Sequence, residues 1–264
     1  MSENSNDITN SPLSILVVDD DELNQRMMRL ILKREGHLVE CVSNGLEAVN
    51  AVKAQAFDMI LMDLQMPVMD GVEASRKIRE LEKGDERVFI VALTASYLPE
   101  RGRELYEAGI DNYLSKPFEV AHLRHILQYG LENRKPRNLS SERPASDELV
   151  SNSDGFNHQV GIQRVGGDSE TYRELLHDFI QELPGKLEIM KSCFKKKDSD
   201  GLYRAAHNLK GVSANLGALQ LSEHAYRLEK LVSESYTETL EGVLEEISNI
   251  SDGLIAKALN FLAN

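Results

Sequence analysis

Short apolar runs alternate with segments of helical periodicity along the first half of the chain. Five apolar runs predict strands: Ser14–Asp21, His37–Val42, Met59–Asp63, Val88–Leu93 and Asp111–Ser115. The segment after each run predicts a helix, so five strands alternate with five helices. This alternation is typical of an α/β fold, with a parallel doubly wound sheet in the strand order 2-1-3-4-5.

From Phe156 onward the hydrophobic pattern is helical only. The main predicted helices are Thr171–Leu183, Pro184–Lys197, Ser199–Leu216, Leu219–Ser235 and Glu238–Phe261. Asp198 is a suitable N-cap for the helix that follows it, and Gly166-Gly167 predicts a turn. Long helices with short connections indicate an all-α helical bundle.

The stretch between these regions is rich in Ser, Asn, Pro, Glu and Arg and contains few large apolar residues. Such a composition predicts a flexible linker, because too little apolar surface is available to form a core. We therefore expect one domain over residues 13–131, a linker over 132–155 and a second domain over 156–264.

Composition and charge restrict the partners. The net charge of −13 argues against binding to nucleic acid or to an anionic membrane surface. No stretch approaches the roughly 20 apolar residues of a membrane span, and residues 1–12 lack a signal-peptide pattern. Cys41 and Cys193 have no metal-binding spacing, which favours free thiols in a reducing compartment. We expect a cytoplasmic protein with neither nucleic acid nor membrane as partner.

Polar side chains follow most of the predicted strands at the point where each strand ends. Asp19 and Asp20 follow the first strand, and Asp63 ends the third. Thr94 follows the fourth strand and Lys116 the fifth. Because the carboxyl ends of parallel strands share one edge of the sheet, we expect these side chains to converge on one crevice.

This combination of residue types favours phosphate chemistry. Three adjacent carboxylates repel one another unless a cation lies between them, and Mg²⁺ suits such a site next to a phosphate. Lys116 adds a compact positive charge, and the Thr94 hydroxyl can donate to a phosphoryl oxygen. The pattern predicts an aspartate that accepts a phosphoryl group. Asp21 is interpreted as a helix cap.

Four ordered motifs carry a resemblance to a known family: ILVVDDD, DMILMDLQMPVMDG, ALTA at Ala92–Ala95 and DNYLSKP at Asp111–Pro117. Over about residues 13–130 the chain resembles a response-regulator receiver domain of two-component signalling, which has a flavodoxin-like fold. The resemblance implies that Asp63 is phosphorylated and that Asp19 and Asp20 form the acidic pocket for Mg²⁺. The backbone carbonyl of Gln65 would supply a further metal ligand.

The same resemblance assigns three more residues. Thr94 and Tyr113 match the switch pair of the family, and Lys116 matches its phosphate-contacting lysine. The Lys116–Pro117 bond matches a cis peptide. A phosphatase with an aspartyl nucleophile is rejected, because its DxD motif after the first strand is poorly matched by the acidic run that begins at Asp19.

The predicted helix Leu202–Ala218 contains a histidine, His207, on the side opposite its apolar residues. At about 100° per residue, the apolar residues lie opposite His207; they are Leu202, Ala205, Leu209, Val212 and Leu216. We therefore expect His207 to face water, with Lys210 and Gly211 beside it. The HNLKG motif and the all-helical pattern over about residues 156–264 resemble a histidine phosphotransfer domain. The resemblance implies His207 as phosphoacceptor, supported by Lys210 and Gly211.

Together these features predict a phosphorelay intermediate. A sensor histidine kinase would donate a phosphoryl group to Asp63, and His207 would carry one to or from a receiver aspartate. No nucleotide-binding glycine motif occurs in the 264 residues, so we expect a phosphotransfer protein without kinase activity of its own.

An alternative is an interaction module in which phosphorylation of Asp63 controls binding through Thr94 and Tyr113, without relay through His207. The sequence also leaves open whether the chain is a segment of a hybrid sensor kinase and whether Asp63 and His207 exchange phosphate within one molecule.

Overall fold

The structure is a computed structural model that describes residues 12–83, 87–94, 102–132, 155–234 and 239–263. The predicted linker therefore falls almost entirely outside the described residues. We refer to the described residues up to 132 as the α/β domain and to those from 155 onward as the helical bundle.

The α/β domain alternates strands and helices as the sequence predicts. Its elements are β1 (Ser14–Val18), α1 (Glu22–Arg34), β2 (Leu38–Val42), α2 (Gly45–Ala54), β3 (Met59–Asp63), α3 (Gly71–Leu81), β4 (Phe89–Thr94), α4 (Gly102–Glu107), β5 (Asn112–Ser115) and α5 (Val120–Glu132). All neighbouring strands pair in parallel, in the order β2-β1-β3-β4-β5. The predicted fold class and strand order are confirmed.

The two faces of the sheet explain the hydrophobic pattern. Every residue of β3 is buried, because helices cover the sheet on both sides. One face packs against apolar residues of α2, α3 and α4, and the other against α1 and α5. Side chains cap three of the helices: Asp21 begins α1, Asn44 begins α2 and Asp70 begins α3. The interpretation of Asp21 as a cap is confirmed.

The helical bundle contains α6 (His158–Arg164), α7 (Ser169–Lys196), α8 (Ser199–Asn215), α9 (Leu219–Ser233) and α10 (Leu240–Ala263). Gly166 and Gly167 form the predicted turn, with φ angles of 87° and 80° that glycine adopts without strain. Asp198 caps α8 by accepting a hydrogen bond from the backbone N–H of Gly201. None of the helices in the described part of the chain is both long and apolar enough to cross a membrane.

The prediction of two helices on either side of Pro184 was wrong. Residues 169–196 form one helix, α7, with Pro184 inside it. Proline removes a backbone hydrogen bond and crowds the preceding turn, which favours a break. Here Leu183, Leu187 and Met190 are all buried on the core side, so packing along one continuous apolar stripe outweighs that local cost.

The bundle packs directly on the α/β domain. A single contiguous cluster of buried apolar side chains includes residues of α1 and α5 together with the interior of the bundle. Helix α7 lies against α1, and the Gly166 turn approaches Val120 at the start of α5. The bundle therefore covers part of the α1 and α5 side of the α/β domain.

Candidate functional site

Three carboxylates meet at the carboxyl edge of the sheet, where β1 and β3 are neighbours. Asp19 and Asp20 follow β1, and Asp63 is the last residue of β3. One oxygen from each of the three carboxylates lies within 4.8 Å of the others. Asp19 and Asp63 are 1% and 3% exposed, which makes their mutual repulsion costly. The predicted convergence of these acids is present in the structure.

Lys116 supplies the opposite charge. Its Nζ lies 2.6 Å from Asp19 Oδ2 and 2.5 Å from Asp63 Oδ2. The residue follows β5, and its backbone N–H donates to the Thr94 carbonyl at 2.6 Å, which fixes the chain beside the end of β4. The Lys116–Pro117 peptide is cis, as the resemblance implies. The ammonium group thus bridges carboxylates from two different strands.

The charges in this pocket strongly affect one another. Burial raises the pKa of Asp19 to about 7; Lys116 opposes this rise, and Asp63 adds to it. Burial also raises the pKa of Asp20, against a hydrogen bond from Asn208 that lowers it. Burial by itself lowers the pKa of Lys116, but the charges of Asp19 and Asp63 outweigh it and raise that pKa. The pocket favours a positive charge next to its carboxylates.

The donor set fits a hard divalent cation. Asp20 Oδ1 is buried and has no hydrogen-bond partner among the described residues, so it is available as a metal ligand. Asp63 Oδ1 accepts the backbone N–H of Gln65 at 2.9 Å, which orients the carboxylate. Oxygen atoms from three carboxylates match the preference of Mg²⁺ for oxygen ligands.

Sequence reasoning missed the importance of Gly71, the first residue of α3. A Cβ at this position would lie 2.1 Å from the carbonyl oxygen of Asp63. Only glycine lets α3 begin so close to the end of β3. The signal was available in the sequence, because a glycine follows the capping Asp70 directly.

Thr94 and Tyr113 occupy neighbouring strands beside the acids. Thr94 ends β4 opposite Ser115, and Tyr113 pairs with Ala92 in the same ladder. Thr94 is partly exposed at the edge, whereas Tyr113 is buried against the α2–α4 side of the sheet. The two residues lie close to the edge of the sheet, and their predicted role as a switch pair stays a prediction.

The prediction that His207 faces water was wrong. The residue lies in α8 opposite the predicted apolar stripe, yet it is only 7% exposed. The helical pattern indicates only which side of α8 faces the bundle core. It does not show that α9 and the α/β domain cover the other side.

A carboxylate on α9 holds the imidazole of His207. Glu229 Oε1 lies 2.8 Å from His207 Nδ1, and Glu229 Oε2 accepts a hydrogen bond from Lys210 Nζ. Burial raises the pKa of Glu229, but hydrogen bonds from His207 and Lys210 outweigh it and lower that pKa. Lys210 is thus close to the histidine, as predicted, whereas Glu229 was missed because it lies 22 positions away.

An ionised Glu229 selects one tautomer of the neutral His207 ring. A carboxylate can only accept hydrogen bonds, so Nδ1 carries the proton that it donates to Glu229. The neutral ring then has its lone pair on Nε2. Gly211, the second predicted support, lies one turn further along α8. Apart from its chain neighbours and the backbone of its own helix, no atom of the described residues lies within 4 Å of an added Cβ there.

The face of α8 that bears His207 touches the acidic edge of the α/β domain. Gln65 Nε2 donates to Tyr203 Oη at 3.1 Å. Asn208 Nδ2 donates to Asp20 Oδ2, also at 3.1 Å. Neither contact was anticipated from the sequence, because each joins residues more than a hundred positions apart.

Two protein-family models match separate parts of the chain. Residues 15–128 match the family model described as the response regulator receiver domain, and residues 174–257 match that of the Hpt domain. The chain is 31% identical over 236 residues to the sensor protein GacS of Pseudomonas syringae pv. syringae, an alignment that covers 87% of this chain and 26% of that protein. It is 28% identical over 257 residues to the signal transduction histidine-protein kinase BarA of Escherichia coli (strain K12), covering 95% and 27%. The chain thus spans about a quarter of the length of these relatives.

Solved structures resemble the first half of the chain. One is the receiver domain of the sensor histidine kinase PA1611 from Pseudomonas aeruginosa PAO1, described with a magnesium ion coordinated in its active site cleft. It shares 40% identity, covers 47% of this chain and 100% of that one, and has a TM-score of 0.43. A second contains the Saccharomyces cerevisiae phosphotransfer protein Ypd1 with the receiver domain of Ssk1, at 33% identity, covering 45% and 89%, with a TM-score of 0.43.

Proposed function

The chain carries a response regulator receiver domain followed by an Hpt domain, and from this pairing we propose that it is a phosphorelay intermediate. The proposed boundaries are residues 13–131 for the receiver, 132–155 for a linker and 156–264 for the histidine phosphotransfer bundle. The proposed partners are a sensor histidine kinase and a receiver domain, in the cytoplasm. The paired domains favour relay over an interaction module that is only gated by phosphorylation of Asp63.

In the first step, a carboxylate oxygen of Asp63 attacks the phosphorus of a phosphohistidine on the kinase. A new O–P bond forms, the P–N bond breaks, and its electron pair returns to the donor imidazole. Lys116, which lies 2.5 Å from Asp63, stabilises the negative charge on the transferred group. Thr94 donates its hydroxyl to a phosphoryl oxygen, and Tyr113 is the second member of the switch pair.

We propose Mg²⁺ as the ion of the acidic pocket, held by Asp19, Asp20, Asp63 and the backbone carbonyl of Gln65. When bound, it would neutralise charge on the phosphoryl oxygens. The unpartnered Asp20 Oδ1 supports this assignment.

In the second step, Nε2 of His207 attacks the phosphorus of the acyl phosphate. The N–P bond forms, and the O–P bond breaks, which restores the carboxylate of the donor aspartate. Positive charge then develops on the imidazole ring, where Glu229 stabilises it from the Nδ1 side. The step is reversible, so His207 can also return a phosphoryl group to an aspartate. Lys210 and Gly211 are the proposed supporting residues.

The observation that carries this proposal is that both candidate phosphoacceptors contact a buried countercharge. Asp63 lies against the ammonium group of Lys116, and Glu229 binds Nδ1 of His207, so that Nε2 of the neutral ring is the proposed acceptor atom. Little covalent machinery is needed beyond such positioning.

Radiolabel transfer tests the proposal. A phosphorylated histidine kinase should label the Asp63 of the chain, and the label should move to His207 and then to a second receiver domain. Asp63→Asn should prevent all labelling, whereas His207→Gln should retain label on Asp63. A stable Asp63 label with an unreactive wild-type His207 would contradict relay and support the gated module.

A further inference from the structure

We propose that the bundle is the receiver's own docking partner: α7 and α8 close over the acidic edge, so that His207 serves Asp63 of the same molecule. In this closed state the bundle also excludes other proteins from Asp63, and a kinase reaches Asp63 only after the bundle is released. The proposal rests on the function proposed above and adds the identity of the partner and the order of events.

The contacts of α8 bring the part of the helix that carries His207 to the acidic edge of the α/β domain. Tyr203, one turn before the histidine, binds the side chain of Gln65, whose backbone N–H binds Asp63. Asn208, the next residue after the histidine, binds Asp20 at 3.1 Å. His207 therefore lies between two anchors, and both anchors rest on residues that adjoin Asp63 in the pocket.

Charged pairs join α7 to α1 along the same interface. Arg26 of α1 contacts Glu174 at 3.4 Å and pairs with Asp178. Arg34, at the other end of α1, lies 3.1 Å from Asp168. A basic side of α1 thus faces an acidic side of α7, which fixes their relative direction.

A further ion pair lies next to the acidic pocket, and here the basic residue is on α7 and the acidic residue is at the start of α1. Lys186 of α7 contacts Asp21, the buried cap of α1. Burial by itself lowers the pKa of Lys186, but the charge of Asp21 outweighs it and raises that pKa, so the lysine stays charged. Because Asp21 directly follows Asp19 and Asp20, this pair holds α7 beside the carboxylates.

Apolar side chains also contribute to the interface between the α/β domain and the bundle. The apolar cluster that contains residues of α1 and α5 extends without interruption into the bundle. Apolar burial supplies binding energy, and the charged pairs select the orientation. The closed state covers the surface around Asp63 that a protein donor must approach, whereas a small phosphodonor needs much less space.

The first test separates transfer within a molecule from transfer between molecules. Asp63 is labelled with acetyl phosphate, and the movement of label to His207 is followed at several chain concentrations. For comparison, an Asp63-labelled His207→Gln chain is mixed with the Asp63→Asn chain. A tether gives an effective concentration in the millimolar range, so at micromolar concentration the intact chain should transfer label about 10²-fold to 10³-fold faster than the mixture.

Each outcome of this test is distinct. A rate that is independent of concentration supports self-docking. A rate that rises in proportion to chain concentration overturns self-docking while leaving the relay intact. Label that never reaches His207, in the intact chain or in the mixture, overturns the proposed function itself. Small-angle scattering of the unlabelled chain then decides whether the closed state exists.

The second test opens the interface from the bundle side. Asp178→Arg places two positive charges together at Arg26 and should lower the rate of intramolecular transfer by roughly threefold to tenfold. Glu188→Arg makes a comparable charge change on the same helix and serves as the matched control, because among the described residues Glu188 pairs with Lys191 of its own helix. Adding Arg26→Glu to Asp178→Arg should restore transfer.

The same variants test exclusion of other proteins. The donor is the Asp63→Asn chain, phosphorylated on His207 with phosphoramidate. Asp178→Arg in the recipient chain should increase labelling of Asp63 by this protein-sized donor and leave labelling by acetyl phosphate unchanged. Equal behaviour of Asp178→Arg and Glu188→Arg with both donors would overturn the exclusion.

Discussion

The two proposed phosphoacceptor sites are built in opposite ways. Asp63 lies in a pocket assembled from the ends of several strands, and a buried cation, Lys116, neutralises it. His207 lies on helix α8, and a buried anion on α9, Glu229, binds it. A carboxylate that accepts a phosphoryl group gains negative charge, whereas an imidazole that does so gains positive charge. The countercharge in each site has the sign that its product requires.

The difference also decides how each site depends on the rest of the protein. The receiver pocket needs the strand order of the whole sheet, because Lys116 and Asp19 come from distant segments. The contact between His207 and Glu229 needs only the packing of α8 on α9. We therefore expect the receiver site to be sensitive to the loss of one charged partner and the histidine site to respond more gradually.

The largest effect is expected at Lys116. Lys116→Ala removes the cation that contacts both Asp19 and Asp63, and the rate of Asp63 phosphorylation should fall by about 10²-fold or more. Labelling with acetyl phosphate measures that rate. Lys77→Ala, which removes an exposed lysine paired within α3, is the control and should leave it unchanged. Near-normal labelling of Lys116→Ala would show that the lysine does not assist phosphorylation of Asp63.

The next effect concerns the acidic pocket as a metal site. Mg²⁺ at 100 times its dissociation constant should raise the free energy of unfolding by about 2.7 kcal/mol, because it binds only the folded pocket. Thermal or urea unfolding with and without the ion measures this gain. Asp20→Asn should reduce the gain strongly, whereas Asp252→Asn on the exposed side of α10 should not. Equal stabilisation of both variants would place the ion elsewhere.

A smaller effect is expected at Glu229, which positions His207 without receiving the phosphoryl group. Glu229→Gln should slow phosphorylation of His207 by phosphoramidate about tenfold, because a neutral amide stabilises the charged ring less well. Glu234→Gln, near the end of the same helix, is the matched control.

The pH dependence of stability provides an independent measure of the Glu229 pairing. Because its pKa is lowered in the folded protein, the pairing stabilises the protein above the ordinary value of 4.5, and that contribution is lost as the pH falls through the folded pKa. Glu229→Gln should therefore weaken the dependence of the free energy of unfolding on pH in this acidic range. An unchanged acid profile would show that the carboxylate contributes nothing there.

The smallest effect tests the contact between the two sites. Tyr203→Phe removes only the hydroxyl that accepts the hydrogen bond from Gln65. The loss of such a hydrogen bond costs about 1 kcal/mol. Transfer from Asp63 to His207 should slow roughly fivefold, while labelling of His207 by phosphoramidate stays the same. Tyr226→Phe on α9, where the ring is exposed, is the control. A loss of phosphoramidate labelling would indicate a local role for Tyr203 instead.

The sequence predicts the receiver pocket better than the histidine site, for a physical reason. In a parallel sheet the strand ends share one edge, so a residue's position after a strand is enough to place Asp19, Asp63 and Lys116 together. The surroundings of His207 depend on which surfaces pack against the polar side of α8, and one helix carries no such information. Pro184 illustrates the same limit, because its local preference for a break is overridden by packing along the rest of α7.

The most direct test of the account follows one phosphoryl group in the intact chain. Asp63 is labelled with acetyl phosphate, the donor is removed, and label on Asp63 and on His207 is measured over time. The account predicts that label leaves Asp63 and appears on His207 at a rate independent of chain concentration. Label that disappears from Asp63 by hydrolysis, with none detected on His207 at any concentration, would contradict it.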